Sequence, residues 1–307
     1  MTLDAPRAIG SYFILRRLPG GGPQTELFAA HHRDEPATRL VCLKRIHPNY
    51  DDNPLFGPRF EQEMTLARTL RHRNLVEVTD LGHDGGHFFV MEYIDGPSLE
   101  DLLSNGTMRP SLVVYVGVEL CRALSFLHHS DADTGRGPLI HRDVTPHNVL
   151  LSRDDGGVKL SDFGLAKALA RTGAETITEA KGKPIYLAPE QLTDDKVGTR
   201  ADLFSLGVVL WRALIGTHPY GEGRPRDKPM GEWIFERTLA NERRSAADAA
   251  PHAPRELAAA IEGLLQPVAA RTSSAEDVFA TLRQVEPLDG HTQLVEWIAR
   301  ADEEGRR

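Results

Sequence analysis

Over roughly the first ninety positions, apolar residues alternate with polar ones or bunch in short β-branched and aromatic runs. That period predicts strands at Tyr12–Leu18, Thr25–His31, Arg39–Ile46, Leu75–Leu81 and His87–Tyr93, most of them separated by glycine and proline clusters. One helical pattern interrupts them: from Arg59 to Arg71, Phe60, Met64, Ala67 and Leu70 fall on one face. After Gly96 the period lengthens. Leu112–His128 reads as a long apolar helix, and Leu139–Ser161 as short strands and loops. Asp202–Ile215 is apolar almost all round, the mark of a helix buried in a core, with Asp202 as its expected N-cap. From Pro251 to Ile298 the pattern is of short helices, Arg224–Pro229 is a polar loop, and Ala301–Arg307 is a charged tail expected to fray.

The elements order as a small β-rich lobe (residues 11–92), a hinge at 92–96, a larger helical lobe (97–288) and a helical, charged tail (289–307). The fold class is therefore α+β and bilobal: a five-stranded antiparallel β lobe with one helix, then a mainly helical lobe. The length of 307 residues, with 40% hydrophobic and 26% charged, supports cores of that size. The 36 basic and 44 acidic residues give a net charge of −8, which argues against a nucleic-acid partner. The two cysteines, Cys42 and Cys121, sit in apolar runs. They are too few for a disulfide framework or a thiolate metal site, and a reducing compartment fits them. Met1–Gly10 lacks the pattern of a signal peptide. Leu203–Ile215, read as the most apolar stretch, is shorter than the ~20 residues of a membrane span. The expectation is a cytoplasmic chain with no membrane segment in it.

Four chemical signals follow in order. Gly20-x-Gly22 lies between two strands, where backbone N–H groups can approach a phosphate with no Cβ in the way. Alone it is a common turn. Val41–Lys44 is a strand ending in a lysine, and Glu63 follows on the predicted helix. A desolvated lysine gripping phosphate oxygens needs an anionic partner, although a solvated lysine and glutamate are the usual fate of each. In His141-Arg142-Asp143-Val144-Thr145-Pro146-His147-Asn148, a carboxylate can align an acceptor hydroxyl and take its proton, and an amide oxygen five residues on can bind a cation. Asp162-Phe163-Gly164 ends a strand with a carboxylate beside a flexible glycine, which suits a Mg²⁺ ligand.

Together these motifs resemble the protein kinase signature set, from about Ser11 to Leu288, and the chain is similar to the bacterial, eukaryotic-like serine/threonine kinases. Ala188-Pro189-Glu190 resembles the end of an activation segment, and Gly182–Tyr186 the loop that receives substrate. The resemblance implies transfer of the γ-phosphate of Mg-ATP to protein Ser or Thr hydroxyls. It assigns Asp143 to the acceptor, Lys44 with Glu63 to the phosphates, and Asn148 and Asp162 to Mg²⁺. Backbone groups of Met91, Glu92 and Ile94 would hold adenine, between Leu18, Leu27, Cys42 and Leu150, with Gly20 and Gly22 over the phosphates. Asp202 would tether the catalytic loop, and Glu190 would pair with Arg271.

Two departures bear on catalysis. Thr25 stands at the third glycine of the loop, and Thr145 replaces the lysine common two residues after the catalytic aspartate. They are the support for a rival reading, a pseudokinase serving as a nucleotide-binding scaffold or sensor. Pro146 favours the Ser/Thr pattern. Arg142 would meet a phosphate on the activation segment, at Thr172, Thr176 or Thr178, implying autophosphorylation, with a homodimer as one route to it.

Overall fold

Alternation in the first third of the chain becomes an antiparallel sheet. The structure, a computed structural model, describes residues 8–21, 25–47, 56–130, 137–162, 184–193 and 197–304. Described residues up to Ile94 form one compact unit and those from Asp95 onward a second.

In the first unit, six strands are described: β1 (Ala8–Ile9), β2 (Tyr12–Leu18), β3 (Thr25–His32), β4 (Val41–Ile46), β5 (Val78–His83) and β6 (His87–Glu92). Their order in the sheet is β1-β2-β3-β4-β6-β5, and every pairing is antiparallel. The five expected strands are all present; the two-residue β1 precedes the expected start at Ser11 and is too short for a periodicity signal. Helix α1 (Phe56–Ala67) buries Phe60, Met64 and Ala67 against Cys42, Ile46, Phe89 and Met91 on one face of the sheet. Burial of a Phe or Met side chain such as Phe60 or Met64 stabilises by about 1.5–3 kcal/mol. Tyr12, Phe28, Leu43, Phe88 and Val90 form the other face's cluster. The helix starts and ends earlier than the expected Arg59–Arg71, yet Leu70, past its end, is still buried.

The second unit holds helices α2 (Leu99–Leu103), α3 (Pro110–His129), the hairpin β7 (Val149–Leu151) and β8 (Val158–Leu160), α4 (Pro189–Leu192), α5 (Arg200–Ile215), α6 (Met230–Ala240), α7 (Ala246–Ala249), α8 (Arg255–Leu264), α9 (Ala275–Leu282) and α10 (Gly290–Glu304). Two expectations are corrected here. Asp202 is not the N-cap of α5: Thr199 takes that place and Asp202 sits inside the first turn, because its carboxylate is drawn to another loop. Among the described residues, α3 rather than Leu203–Ile215 is long and apolar enough by length and composition to cross a membrane, with a mean hydropathy of 1.5. Most of α3 is buried in this unit, including Leu112, Leu120 and Leu124, so its apolarity serves the core. The tail is also more ordered than expected, since Ala301–Glu304 continue α10.

Candidate active site

Residues His141 to Asn148 are held in place from three directions. Asp202, buried on α5, accepts the backbone N–H groups of His141 at 2.8 Å and Arg142 at 2.7 Å. The same carboxylate accepts His128 Nε2 at 2.9 Å from the end of α3. Arg142 adopts a left-handed backbone, φ 70°, a conformation costly for a residue with a Cβ unless its surroundings impose it. The His141 ring donates from Nε2 to the Ser161 carbonyl at 2.9 Å, and its Nδ1 accepts the Asp143 N–H at 3.3 Å.

Asp143 and Asn148 touch. The Asn148 amide donates from Nδ2 to the Asp143 carbonyl at 2.8 Å and to Asp143 Oδ2 at 2.9 Å. The short 3₁₀ turn Pro146–Asn148 closes the five-residue spacing that makes this contact. With its nitrogen committed, the Asn148 amide has its oxygen left to act as a lone-pair donor. Ser161 then joins this loop to β8: its N–H donates to the Asn148 carbonyl at 2.8 Å. Asp162 follows at once, also left-handed with φ 65°. One amide oxygen and one carboxylate from adjacent segments fit Mg²⁺, which keeps few protein ligands and takes the rest from water and phosphate. Among the described residues no group of three or more His, Cys, Asp or Glu forms a self-sufficient metal cage.

The first unit supplies the other expected residues. Lys44 is buried, 5% exposed, on β4 opposite Leu27 of β3 and Phe89 of β6. Leu18 and Leu27 pair across β2 and β3 and pack on the cluster containing Cys42 and Met91. Glu92 and Ile94 are partly buried at the end of β6 and just beyond it. Gly20 and Gly21 both take φ 90°, and a Cβ on Gly21 would lie 2.5 Å from the Thr25 carbonyl, so the turn demands glycine there. Thr25 is buried, and its hydroxyl donates to the Gly21 carbonyl, bracing the turn from inside. Leu150 lies on β7 in the second unit, bridged to Ser98. Gly22, the Glu63 side chain, Phe163, Gly164, Thr172, Thr176 and Thr178 lie outside the described residues.

The protein kinase domain family matches residues 15–281. This chain belongs to the protein kinase family. The kinase is similar to the serine/threonine-protein kinase PknD of Mycobacterium tuberculosis, 37% identical over 222 residues, which are 71% of this chain and 32% of that protein. It is also similar to the tyrosine-protein kinase MasK of Myxococcus xanthus, 33% identical over 258 residues, 81% of this chain and 39% of that one. The chain thus spans less than two-fifths of the length of either relative. The crystal structure of the Mycobacterium tuberculosis PknI kinase domain shares the fold, with a TM-score of 0.66 at 23% identity, covering 91% of this chain and 97% of that one.

Two further features of the kinase brace Tyr186 and the start of α4. Glu190, at the start of α4, forms a two-pronged pair with Arg271, at 2.6 and 3.1 Å. Arg212 of α5 binds Glu100 of α2 with both terminal nitrogens and also the Tyr186 hydroxyl. Sequence reading missed the Arg212 bridge and the His128–Asp202 contact. The polar Arg212 interrupting an otherwise apolar helix was the available signal for the first; nothing in the spacing of His128 distinguished it from its neighbour His129.

Proposed function

We propose that the chain is an ATP-dependent protein serine/threonine kinase. The observation that carries this reading is the contact of Asp143 with Asn148 on a loop anchored by Asp202, with Asp162 joined to it through Ser161. When bound, Mg-ATP supplies the γ-phosphoryl group, its charge partly neutralised by the metal. Asn148 Oδ1 and the Asp162 carboxylate hold the cation. Lys44 grips phosphate oxygens with its buried ammonium, and the resemblance gives Glu63 as its anionic partner. Asp143 orients the acceptor hydroxyl and takes its proton as that oxygen bonds to the γ-phosphorus and the bond from the γ-phosphorus to the bridging β-phosphate oxygen breaks, with ADP as the leaving group. The backbone of Met91, Glu92 and Ile94 hydrogen-bonds adenine, and Leu18, Leu27, Cys42 and Leu150 contact its faces. Most of the rate enhancement in such a site comes from positioning and charge stabilisation. The substrates are proteins, including the chain's own activation segment.

The test is incubation of the pure protein with labelled Mg-ATP and peptides carrying Ser, Thr or Tyr. Label is expected on Ser or Thr peptides. Asp143→Asn should lower turnover by about 10²–10⁴-fold, and Lys44→Met, the control, should lose measurable transfer of label. Unchanged turnover in the Asp143 variant would refute its assignment; label confined to Tyr peptides would replace the acceptor class. Absence of transfer with retained ATP binding would indicate a nucleotide-binding scaffold.

A further inference from the structure

Helix α10 (Gly290–Glu304) lies past the residues that match the kinase family, which end at 281. Its Leu294 and Ile298 are fully buried. Ser111 of α3 donates to Gln293 Oε1 at 2.9 Å. Gly290 lies against Tyr115 of α3, where a Cβ would fall 2.5 Å from the ring. The Tyr115 hydroxyl in turn donates to the Gly156 carbonyl at 3.0 Å, and a Cβ on Gly156 would meet the His291 carbonyl at 2.2 Å. The helix therefore grips both α3 and the turn that joins β7 to β8.

That turn carries Arg153. Its guanidinium places Nε and Nη2 on the two oxygens of Asp302, at 3.0 and 3.3 Å, and Nη1 on Asp95 Oδ1 at 2.9 Å. Its backbone N–H donates to the Asp95 carbonyl at 2.8 Å, and Leu151 N–H to the Pro97 carbonyl at 3.0 Å. Gly96 is pressed so close that a Cβ would lie 1.8 Å from the Leu151 carbonyl. The hydrogen bonds that Arg153 donates to Asp302 raise the Arg153 pKa above the ordinary arginine value. Isolated exposed ion pairs contribute little. Here one planar guanidinium is shared by two carboxylates and backed by a backbone ladder, a geometry that fixes direction as well as distance.

We propose that α10 is a positioning element for nucleotide binding, acting through Asp302–Arg153–Asp95 to fix the backbone of Asp95–Pro97. That segment directly follows Met91–Ile94, and the proposal rests on the reading above that those residues hold adenine. The alternative is that α10 only covers the apolar side of α3.

Asp302→Asn separates the two, because it leaves Leu294, Ile298 and Gly290 in place. The measurements are the Mg-ATP Kd by calorimetry, the KM for ATP and for peptide, and hydrogen exchange at the amides of Leu151 and Arg153. The expected result is a rise of about threefold in the ATP Kd and KM, an unchanged peptide KM, and faster exchange at both amides. Asp302→Glu should restore the wild-type values, and high salt should bring wild type towards the Asn variant. If Asp302→Asn binds Mg-ATP as wild type does, the proposal is overturned, whatever its melting temperature. If the wild type binds no nucleotide, the adenine reading itself falls and takes this proposal with it. The wild-type isotherm tells those two failures apart.

Discussion

Arg271 and Glu190 meet as a two-pronged ion pair sealed from water, with side chains 0% and 5% exposed. The guanidinium also donates to the Arg200 and Gln266 carbonyls and lies over the Phe204 ring at 4.9 Å. A buried pair of this kind offsets its own desolvation and adds little net stability, but removing one member strands the other charge in the interior. Arg271→Ala should therefore cost about 3–5 kcal/mol. Urea denaturation checks this, and a loss below about 1 kcal/mol would mean that water reaches Glu190.

Asp202 accepts three donors, from His141, Arg142 and His128. Asp202→Asn turns one oxygen into an N–H₂ facing donors, leaving buried groups unpaired at about 1–3 kcal/mol each. It also releases Arg142 from its left-handed backbone, and with it the placing of Asp143. The expected outcome is a loss of about 2–4 kcal/mol in denaturation, with transfer to peptide reduced at least roughly tenfold. Full activity in a destabilised variant would show that Asp202 holds only the fold.

Local chemistry decides how much of this was legible in the sequence. β2 was read to the residue because Tyr12–Leu18 combines β-forming residues with a glycine at either side; β5 was started at Leu75 where the strand runs only from Val78, since the pattern does not show where continuous strand pairing begins. That Asp143 and Asn148 share one short loop was legible from their five-residue spacing, but the hydrogen bond from the Asn148 amide to the Asp143 carboxylate was not. The resemblance supplied Asp202 as tether, whereas its position alone read as a helix cap, a role short acidic residues fill more often. The Arg153 bridge was not legible: its partners are 58 and 149 residues away, and only the packing of α10 brings Asp302 there.

His218 gives a pH signature. Its Nε2 donates to the Ile185 carbonyl at 2.7 Å while Nδ1 accepts the Tyr220 N–H at 3.2 Å, roles that require a neutral ring. Burial lowers its pKa to about 4. A base with a folded pKa below its unfolded value, about 6.5, takes up protons on unfolding. Its contribution is then complete above about pH 6.5 and is lost as pH falls towards 4. The loss is at most about 3 kcal/mol, less because part of the ring keeps contact with water. Urea midpoints at neutral and acid pH should converge for wild type and His218→Gln as the pH falls. An acid-induced loss as large in the variant as in wild type would assign the effect to other groups.

Thr145 stands two residues after Asp143 and is 3% exposed, yet among the described residues its hydroxyl has no hydrogen-bond partner. A buried unpaired hydroxyl costs stability, and a valine of nearly the same shape removes that cost. Thr145→Val should leave stability unchanged or raise it by about 1 kcal/mol. If Asp143 aligns the acceptor as proposed, a polar atom kept unpaired two residues away is explained by a partner in the loaded enzyme, so the same variant should lose transfer activity by roughly tenfold in kcat. Thermal unfolding and single-turnover transfer read the two effects separately. A lower melting temperature would mean that the hydroxyl is already bonded in the free protein, and an unchanged kcat would leave Thr145 without a part in the reaction.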